Sequence, residues 1–452
     1  MSDIDWSDDP FFEEPEVDSI DGGTTSSGHL WHAVSPRWGH AMHTMCSYHG
    51  MFPAKVAHYF IQRYSQPGDV VLDPFSGRGT TGLQARVEGR RAICNDLNPL
   101  AFVLSRAKVD PPAWESVNAS IDALERAWKR SRRSDLDVSP DIRMLYHDNT
   151  LKQICFIRER LLSKVLTKWS PDEFMTAGAL SGIMHGSWRR DDTSQYLSIS
   201  MPNTFSMSPS YVEKFIRENG LKKIDQNVFE RLRDKLARLY ADGLPGVRGS
   251  AHHVDAAQLM QGRRLAEESA DLVLTSPPYL QVVNYGAANW IRLWLLGIEE
   301  VGRERGEGRL KLDAALDHRH TYSSYRDFMR RILSGVQRVL KPNGVAVLVI
   351  GDVADPGKDP VPLARKIWDD VHPGSGLRLL EILEDDLPSQ SKVSRIWGET
   401  KGKATDRDCA LVLTHTGGDP DLTRTEVDWR EAYKDAGPDA AHDRLRRKQL
   451  AS

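Results

Sequence analysis

Two short segments of the 452-residue chain concentrate residues able to do chemistry. The first, Asp73-Pro74-Phe75-Ser76-Gly77-Arg78-Gly79-Thr80-Thr81, follows an apolar run and opens a helical pattern. Glycines at 77 and 79 let the backbone turn tightly and approach a ligand with no Cβ in the way, and the helix start offers free N–H groups. Gly77, Gly79 and Gly82 also satisfy the dinucleotide fingerprint, and Asp96, 19 residues past Gly77 at the end of the next apolar run, could hold a ribose hydroxyl. Three features weigh against a dinucleotide. Asp73 sits where a pyrophosphate would meet a negative charge, Pro74-Phe75 lengthens the turn, and the second segment has no role in hydride transfer. A carboxylate at this mouth attracts a cation, and S-adenosyl-L-methionine, with its ammonium and sulfonium, suits it better. A glycine turn without functional meaning fits poorly with the strand-loop-helix context.

The second segment is Thr275-Ser276-Pro277-Pro278-Tyr279, again at the end of an apolar run. Two consecutive prolines remove two N–H donors and fix φ, which leaves carbonyl oxygens facing outward where open sheets bind ligands. An amine that is to attack a methyl group needs such acceptors, here the Ser276 hydroxyl and the Pro277 carbonyl, to orient its hydrogens. Tyr279 can stack on a base, and an amine inside a duplex is reached only by flipping its nucleotide out.

Seven short apolar runs read as the strands that position these loops: 70–72, 91–95, 251–254, 271–274, 345–350, 377–383 and 410–414. Helical patterns at 80–88, 99–108, 289–296, 325–340 and 361–371 alternate with them, which predicts an α/β doubly wound, Rossmann-like sheet, mostly parallel, whose last two strands form an antiparallel pair. Lys341-Pro342-Asn343-Gly344 reads as a turn into a buried strand. The interval of about 140 residues between the second and third strands far exceeds a crossover and carries its own helical pattern at 229–240. The predicted organisation is therefore an acidic tail (1–28), a core part with the glycine loop (29–110), a largely helical inserted domain (111–248), a second core part with the Pro-Pro loop (249–416) and a charged tail (417–452). Asp255, after the third strand, could contact a cofactor adenine or cap the next helix.

Together, DPFSGRGTT and TSPPY resemble the amino-methyltransferases of DNA, the N6-adenine and N4-cytosine group. The resemblance extends to Tyr48-His49-Gly50-Met51-Phe52-Pro53-Ala54-Lys55, to Asn284-Tyr285 and Arg292, and to Leu340-Lys341-Pro342-Asn343-Gly344, covering roughly residues 30–110 and 250–415. It implies a class I methyltransferase fold, an S-adenosyl-L-methionine site in the first motif with Phe52 and Pro53 over its methionine end, and catalysis by Ser276, Pro277, Pro278 and Tyr279. A Ser opening the second motif is typical of N4-cytosine enzymes, whereas Asp or Asn is commoner for N6-adenine. Double-stranded DNA is then the expected partner, within a restriction or other defence system. By position the insertion is the expected reader of target sequence, with Trp188-Arg189-Arg190, Lys222-Lys223 and Asn203-Thr204-Phe205 as contacts, joined by Lys392, Arg395, Trp397, Lys401, Lys403 and Arg407 in 385–408. Each of these charged patches also reads as an ordinary solvated face.

The formal net charge of −3 neither supports nor excludes a polyanion partner. No apolar run reaches the roughly 18 residues of a membrane span, and the acidic start is unlike a secretory signal, so a cytoplasmic location is expected. The four cysteines, Cys46, Cys94, Cys155 and Cys409, have no paired spacing. None follows a proline as the nucleophile of cytosine C5 methylation does, which argues against covalent base catalysis. His40, His43, Cys46 and His49 match no metal spacing, and no metal is predicted. Two other functions compete: methylation of an RNA amine, and a non-catalytic nucleic-acid-binding subunit.

Overall fold

A computed structural model describes residues 34–35, 38–48, 53–131, 137–189, 193–203, 206–278, 285–298, 300–301, 304–305, 321–353, 362–386 and 404–430. Its centre is a seven-stranded sheet of β1 (Val70–Asp73), β2 (Arg91–Asn95), β3 (Ser250–His252), β4 (Ala270–Thr275), β5 (Leu340–Val353), β6 (Leu377–Asp386) and β7 (Ala404–His415), in the order 3-2-1-4-5-7-6. Strands β1 to β5 pair in parallel, and β7 runs antiparallel to both β5 and β6. The Rossmann-like, mostly parallel sheet and its antiparallel last pair are as expected. Buried valines, leucines and isoleucines fill β1, β4 and β5 on both faces, the pattern of strands covered by helices on either side.

One face carries α1 (Ala54–Tyr64), α2 (Thr80–Val87) and α3 (Pro99–Val109). Asn98 caps α3 by accepting from Leu100 N at 3.0 Å, with Pro99 behind it in the first turn. Between α3 and β3 come α4 (Trp114–Arg130), α5 (Pro140–Arg143), α6 (Asp148–Leu162), α7 (Pro171–Ile183), α8 (Pro209–Asn219) and α9 (Val228–Leu239). Their apolar core is continuous with α3, with Met42, Met45 and Tyr48, and with α12 below. Then follow α10 (Ala256–Gln261), α11 (Tyr285–Ala288), α12 (Trp290–Leu295), α13 (Tyr322–Val339) and α14 (Leu363–Val371). Helices α10, α13 and α14 bury their apolar stripes against the other face of β4 and β5.

Two expectations change. The Lys341–Gly344 turn lies inside β5: pairing jumps from Ala270↔Leu340 to Leu272↔Val345, so the turn is absorbed as a bulge, pinned by Lys341 Nζ on Asp271 Oδ1 at 2.6 Å. The segment after 417, read as a tail with little to bury, packs back as far as residue 430. Trp38 Nε1 donates to Trp429 O at 3.1 Å, His58 Nε2 meets Asp428 O at 2.8 Å, and Val427 and Trp429 lie against the apolar core under α1. Most of its charges face solvent, while Val427, Trp429, a buried Pro420 and Arg424, which donates to Ser65 O, supply an anchor too scattered to register as a periodic pattern. Among the described residues no helix is long and apolar enough to cross a membrane.

Candidate active site

The strand order reverses between β1 and β4, and in open α/β sheets the crevice outside the carboxyl ends at such a switch point binds ligands. Both motifs end there. Asp73 closes β1 and is buried; its Oδ1 accepts from Thr275 Oγ1 at 2.7 Å and from Phe75 N at 3.2 Å. Burial pushes its carboxyl up to about 7 against the pull of those donors. Thr275 is the last residue of β4, so one hydrogen bond ties the acid of the glycine loop to the start of the Pro-Pro loop.

The glycine loop is held in shape from three sides. Gly77 has φ +49° and Gly79 φ +78°, left-handed values that glycine adopts without strain. A Cβ on Gly79 would lie 2.9 Å from Ser105 Cα, so the close packing of the loop on α3 also demands glycine there. Ser76 and Ser105 share a buried hydroxyl pair at 2.8 Å, and Ser105 Oγ reaches Gly77 O at 3.2 Å. Asp96, past the end of β2, accepts from Gly77 N at 2.8 Å and Asn98 N at 2.9 Å. Burial raises its carboxyl to about 6 although these N–H groups favour the charged form. Asn95 donates to Pro74 O at 3.1 Å and to Val254 O at 3.0 Å, which ties the segments just past β1, β2 and β3 together.

The loop's open side meets Tyr48 and Tyr285, stacked with centroids 6.1 Å apart. A Cβ on Gly77 would touch the Tyr48 ring at 3.6 Å, and Asn98 Nδ2 donates to Tyr48 Oη at 3.0 Å. In the second motif Ser276 Oγ donates to Val349 O at 3.2 Å. With its proton committed there, the hydroxyl can meet an amine only as an acceptor. Pro277 is buried and Pro278 half-buried.

Of the predicted site residues, Asp73, Pro74, Phe75, Ser76, Gly77, Gly79, Thr80, Thr81, Asp96, Ser276, Pro277 and Pro278 come together at this switch point. Asp255 follows β3, two strands from β1, and caps α10, accepting from Gln258 N at 3.0 Å. Pro53 is exposed at the start of α1. Arg189 is exposed on the insertion, but Trp188 turns inward, donating to Ser198 O at 3.0 Å, and Lys223 donates to Arg143 O at 2.7 Å. His43 is buried against Gln84 at 3.0 Å, and His40 accepts from Met42 N at 3.2 Å. Phe52, Tyr279, Arg190, Lys392, Arg395 and Lys401 lie outside the described residues. Reading the sequence missed Thr275, Asn95 and Ser105 as supports. Thr275 and Asn95 are polar residues at the ends of apolar strands, a signal that was available.

A sulfonium nucleoside fits this cradle by chemistry. Two carboxylates, Asp73 and Asp96, stand at adjoining strand ends, a set that can attract positive charge and accept from hydroxyls. The two left-handed glycines keep the backbone bare between them.

A family model described as DNA methylase, of the N6/N4 type, matches residues 22–104. The Type II methyltransferase M.MvaI of Kocuria varians is 24% identical over 273 residues, covering 54% of this chain and 56% of that protein. The Type II methyltransferase M.PvuII of Proteus hauseri is 44% identical over 48 residues, 11% of this chain and 14% of that protein. The chain thus spans about half or less of the length of these curated relatives. Among solved structures, a DNA modification methylase of Thermus thermophilus complexed with S-adenosyl-L-methionine aligns at 18% identity and a TM-score of 0.21, over 36% of this chain and 51% of that one.

Proposed function

We propose that this chain, a relative of the DNA amino-methyltransferases through residues 22–104, methylates N4 of cytosine in double-stranded DNA with S-adenosyl-L-methionine as donor. The observation that carries the reading is the 2.7 Å hydrogen bond from Thr275 to Asp73, which joins the two motifs at one switch point. The cofactor, when bound, supplies an electrophilic methyl carbon on a positively charged sulfur. Asp73 provides the countercharge, Asp96 holds the ribose, and the Gly77–Gly79 backbone lines the cradle with Pro74, Phe75, Ser76, Thr80 and Thr81 around it. Tyr48 and Tyr285 close the open side.

Ser276 Oγ, its proton held by Val349 O, and the Pro277 carbonyl accept the two hydrogens of the target amine. That pins the amine plane and leaves the nitrogen electrons directed at the methyl group, which is catalysis by orientation. Pro278 stiffens the loop, and Tyr279 stacks on the flipped base. The choice of cytosine rests on Ser276, whose position in the resembling family is typical of N4-cytosine enzymes. The insertion spanning 111–248 is the proposed reader of target sequence, with exposed Arg189 among its contacts and Arg190, Lys392, Arg395 and Lys401 as the other proposed phosphate contacts. A Type II modification setting is consistent with the names of the curated relatives.

The test is incubation with tritiated S-adenosyl-L-methionine and unmethylated duplex DNA, followed by nuclease digestion and nucleoside chromatography. Label in N4-methylcytosine is the expected result. Label in N6-methyladenine would overturn the base assignment, and label confined to a parallel RNA digest would overturn DNA as substrate.

A further inference from the structure

We infer that the insertion forms part of the cofactor site, with Asp242 and Lys235 acting as positioning residues through the half-buried turn that leads to Tyr48. The inference rests on the proposed cofactor reading and concerns residues that neither motif contains. The turn is the short 3₁₀ helix Ala41–Thr44, flanked by His40 and Met45. Its own hydrogen bonds all lie within a few residues: His43 N meets His40 O at 2.8 Å, Met45 N meets Met42 O at 3.2 Å, His40 Nδ1 accepts from Met42 N at 3.2 Å and Thr44 Oγ1 donates to Ala41 O at 2.7 Å, which shape the turn without fixing its place against the glycine loop. Its position is therefore set by what grips it from outside.

Two groups of side chains do so. From the glycine loop and α2, Arg78 donates to His43 O at 3.2 Å and Gln84 meets His43 Nε2 at 3.0 Å. From α9 and the residues just after it, Lys235 Nζ donates to Thr44 O at 2.6 Å and Asp242 Oδ2 accepts from Ala41 N at 2.7 Å. Helix α7 adds backbone contact without side chains between. A Cβ on Gly182 would fall 1.8 Å from Met45 O, and one on Gly178 would fall 2.8 Å from Met45 Sδ. The turn is thus clamped between the insertion and the glycine loop.

Three residues after Met45 the chain reaches Tyr48, whose ring covers Gly77 and whose hydroxyl accepts from Asn98. Movement of the turn would shift this ring off the loop that cradles the ligand. Lys108 Nζ, on Arg78 O at 2.6 Å, completes the chain of contacts from α3 through the loop to the turn. Lys235 is buried, and the carbonyl it serves belongs to the turn. Asp242 is half-buried at the surface, so removing its carboxylate perturbs the anchor without opening the core.

The test compares the parent protein with Asp242→Ala and Asp242→Asn, the second keeping an oxygen that accepts from Ala41 N. Titration calorimetry with S-adenosyl-L-homocysteine should show Asp242→Ala weakened about fivefold, the scale of one lost hydrogen bond, and Asp242→Asn within about twofold of the parent. Duplex affinity, measured without cofactor, and kcat at saturating cofactor should stay within about twofold, while amide exchange in 41–48 accelerates in Asp242→Ala alone. Parent-like cofactor affinity in Asp242→Ala would overturn the inference, as would equal losses in cofactor and duplex affinity accompanied by a lowered Tm. A parent protein that binds no S-adenosyl-L-homocysteine would overturn the cofactor reading itself, and this inference with it.

Discussion

The raised carboxyl of Asp73 makes a quantitative demand on cofactor binding. A cationic ligand needs the ionised form, and burial holds this carboxyl at about 7 in the ligand-free protein. Lowering the pH from 8 to 6 shifts the group from about nine-tenths ionised to about nine-tenths protonated, so the apparent Kd should rise about tenfold by linkage. Asp96, at about 6, adds roughly a further factor of two over the same range. Asp73→Asn keeps an oxygen for Thr275 and removes the titration, so its affinity is expected to be weaker at pH 8 and to vary only with the Asp96 contribution. Titration calorimetry with S-adenosyl-L-methionine on both proteins at several pH values supplies the assay, and the ligand's own ionisation cancels in their ratio. A folded-state pKa above the unfolded value means that ionisation opposes folding once the pH exceeds the unfolded pKa. The same substitution should therefore raise the Tm of the ligand-free protein at pH 8. A ratio of affinities that stays constant from pH 6 to 8 would refute the assignment of Asp73 as the countercharge.

Other substitutions probe the remaining parts. Ser276→Ala should retain cofactor binding and lower kcat by roughly a hundredfold, measured by single-turnover methyl transfer, because it removes an acceptor aimed at the amine. Gly79→Ala should destabilise the fold by about 2–3 kcal/mol in urea titration, combining a left-handed φ of +78° with a Cβ 2.9 Å from Ser105 Cα. Trp429→Ala should cost about 1–2 kcal/mol by the same measurement and leave methyl transfer intact, since its ring packs on Trp38 and His58 and not on a residue of either motif's hydrogen-bond set described above.

Much of this was legible from residue order because it is local. The strand-loop-helix around Gly77 and Gly79 is written in contiguous residues, and the central parallel strands β1, β4 and β5 announce themselves as apolar runs because helices cover them on both faces. The packing of residues 427–429 is not legible in the sequence, for the opposite reason. Trp429 is an isolated aromatic among charges, and its burial depends on Trp38, 391 residues away. Lys341–Gly344 reads as a turn leading into a strand and not as part of one, because a bulge is defined by the partner strand's register.

Residue types and short spacings determined by themselves that a glycine loop opening on a carboxylate and an acceptor-rich Pro-Pro loop exist, each at a strand end. Only the tertiary structure decided that Thr275 meets Asp73 across 202 positions, that Asp255 caps a helix, and that the insertion grips the turn beneath Tyr48. Sequence encodes local conformation through steric and hydrogen-bonding preferences a few residues long. Contacts between distant segments arise from how buried faces pack and where buried donors and acceptors find partners, which depends on all the segments at once.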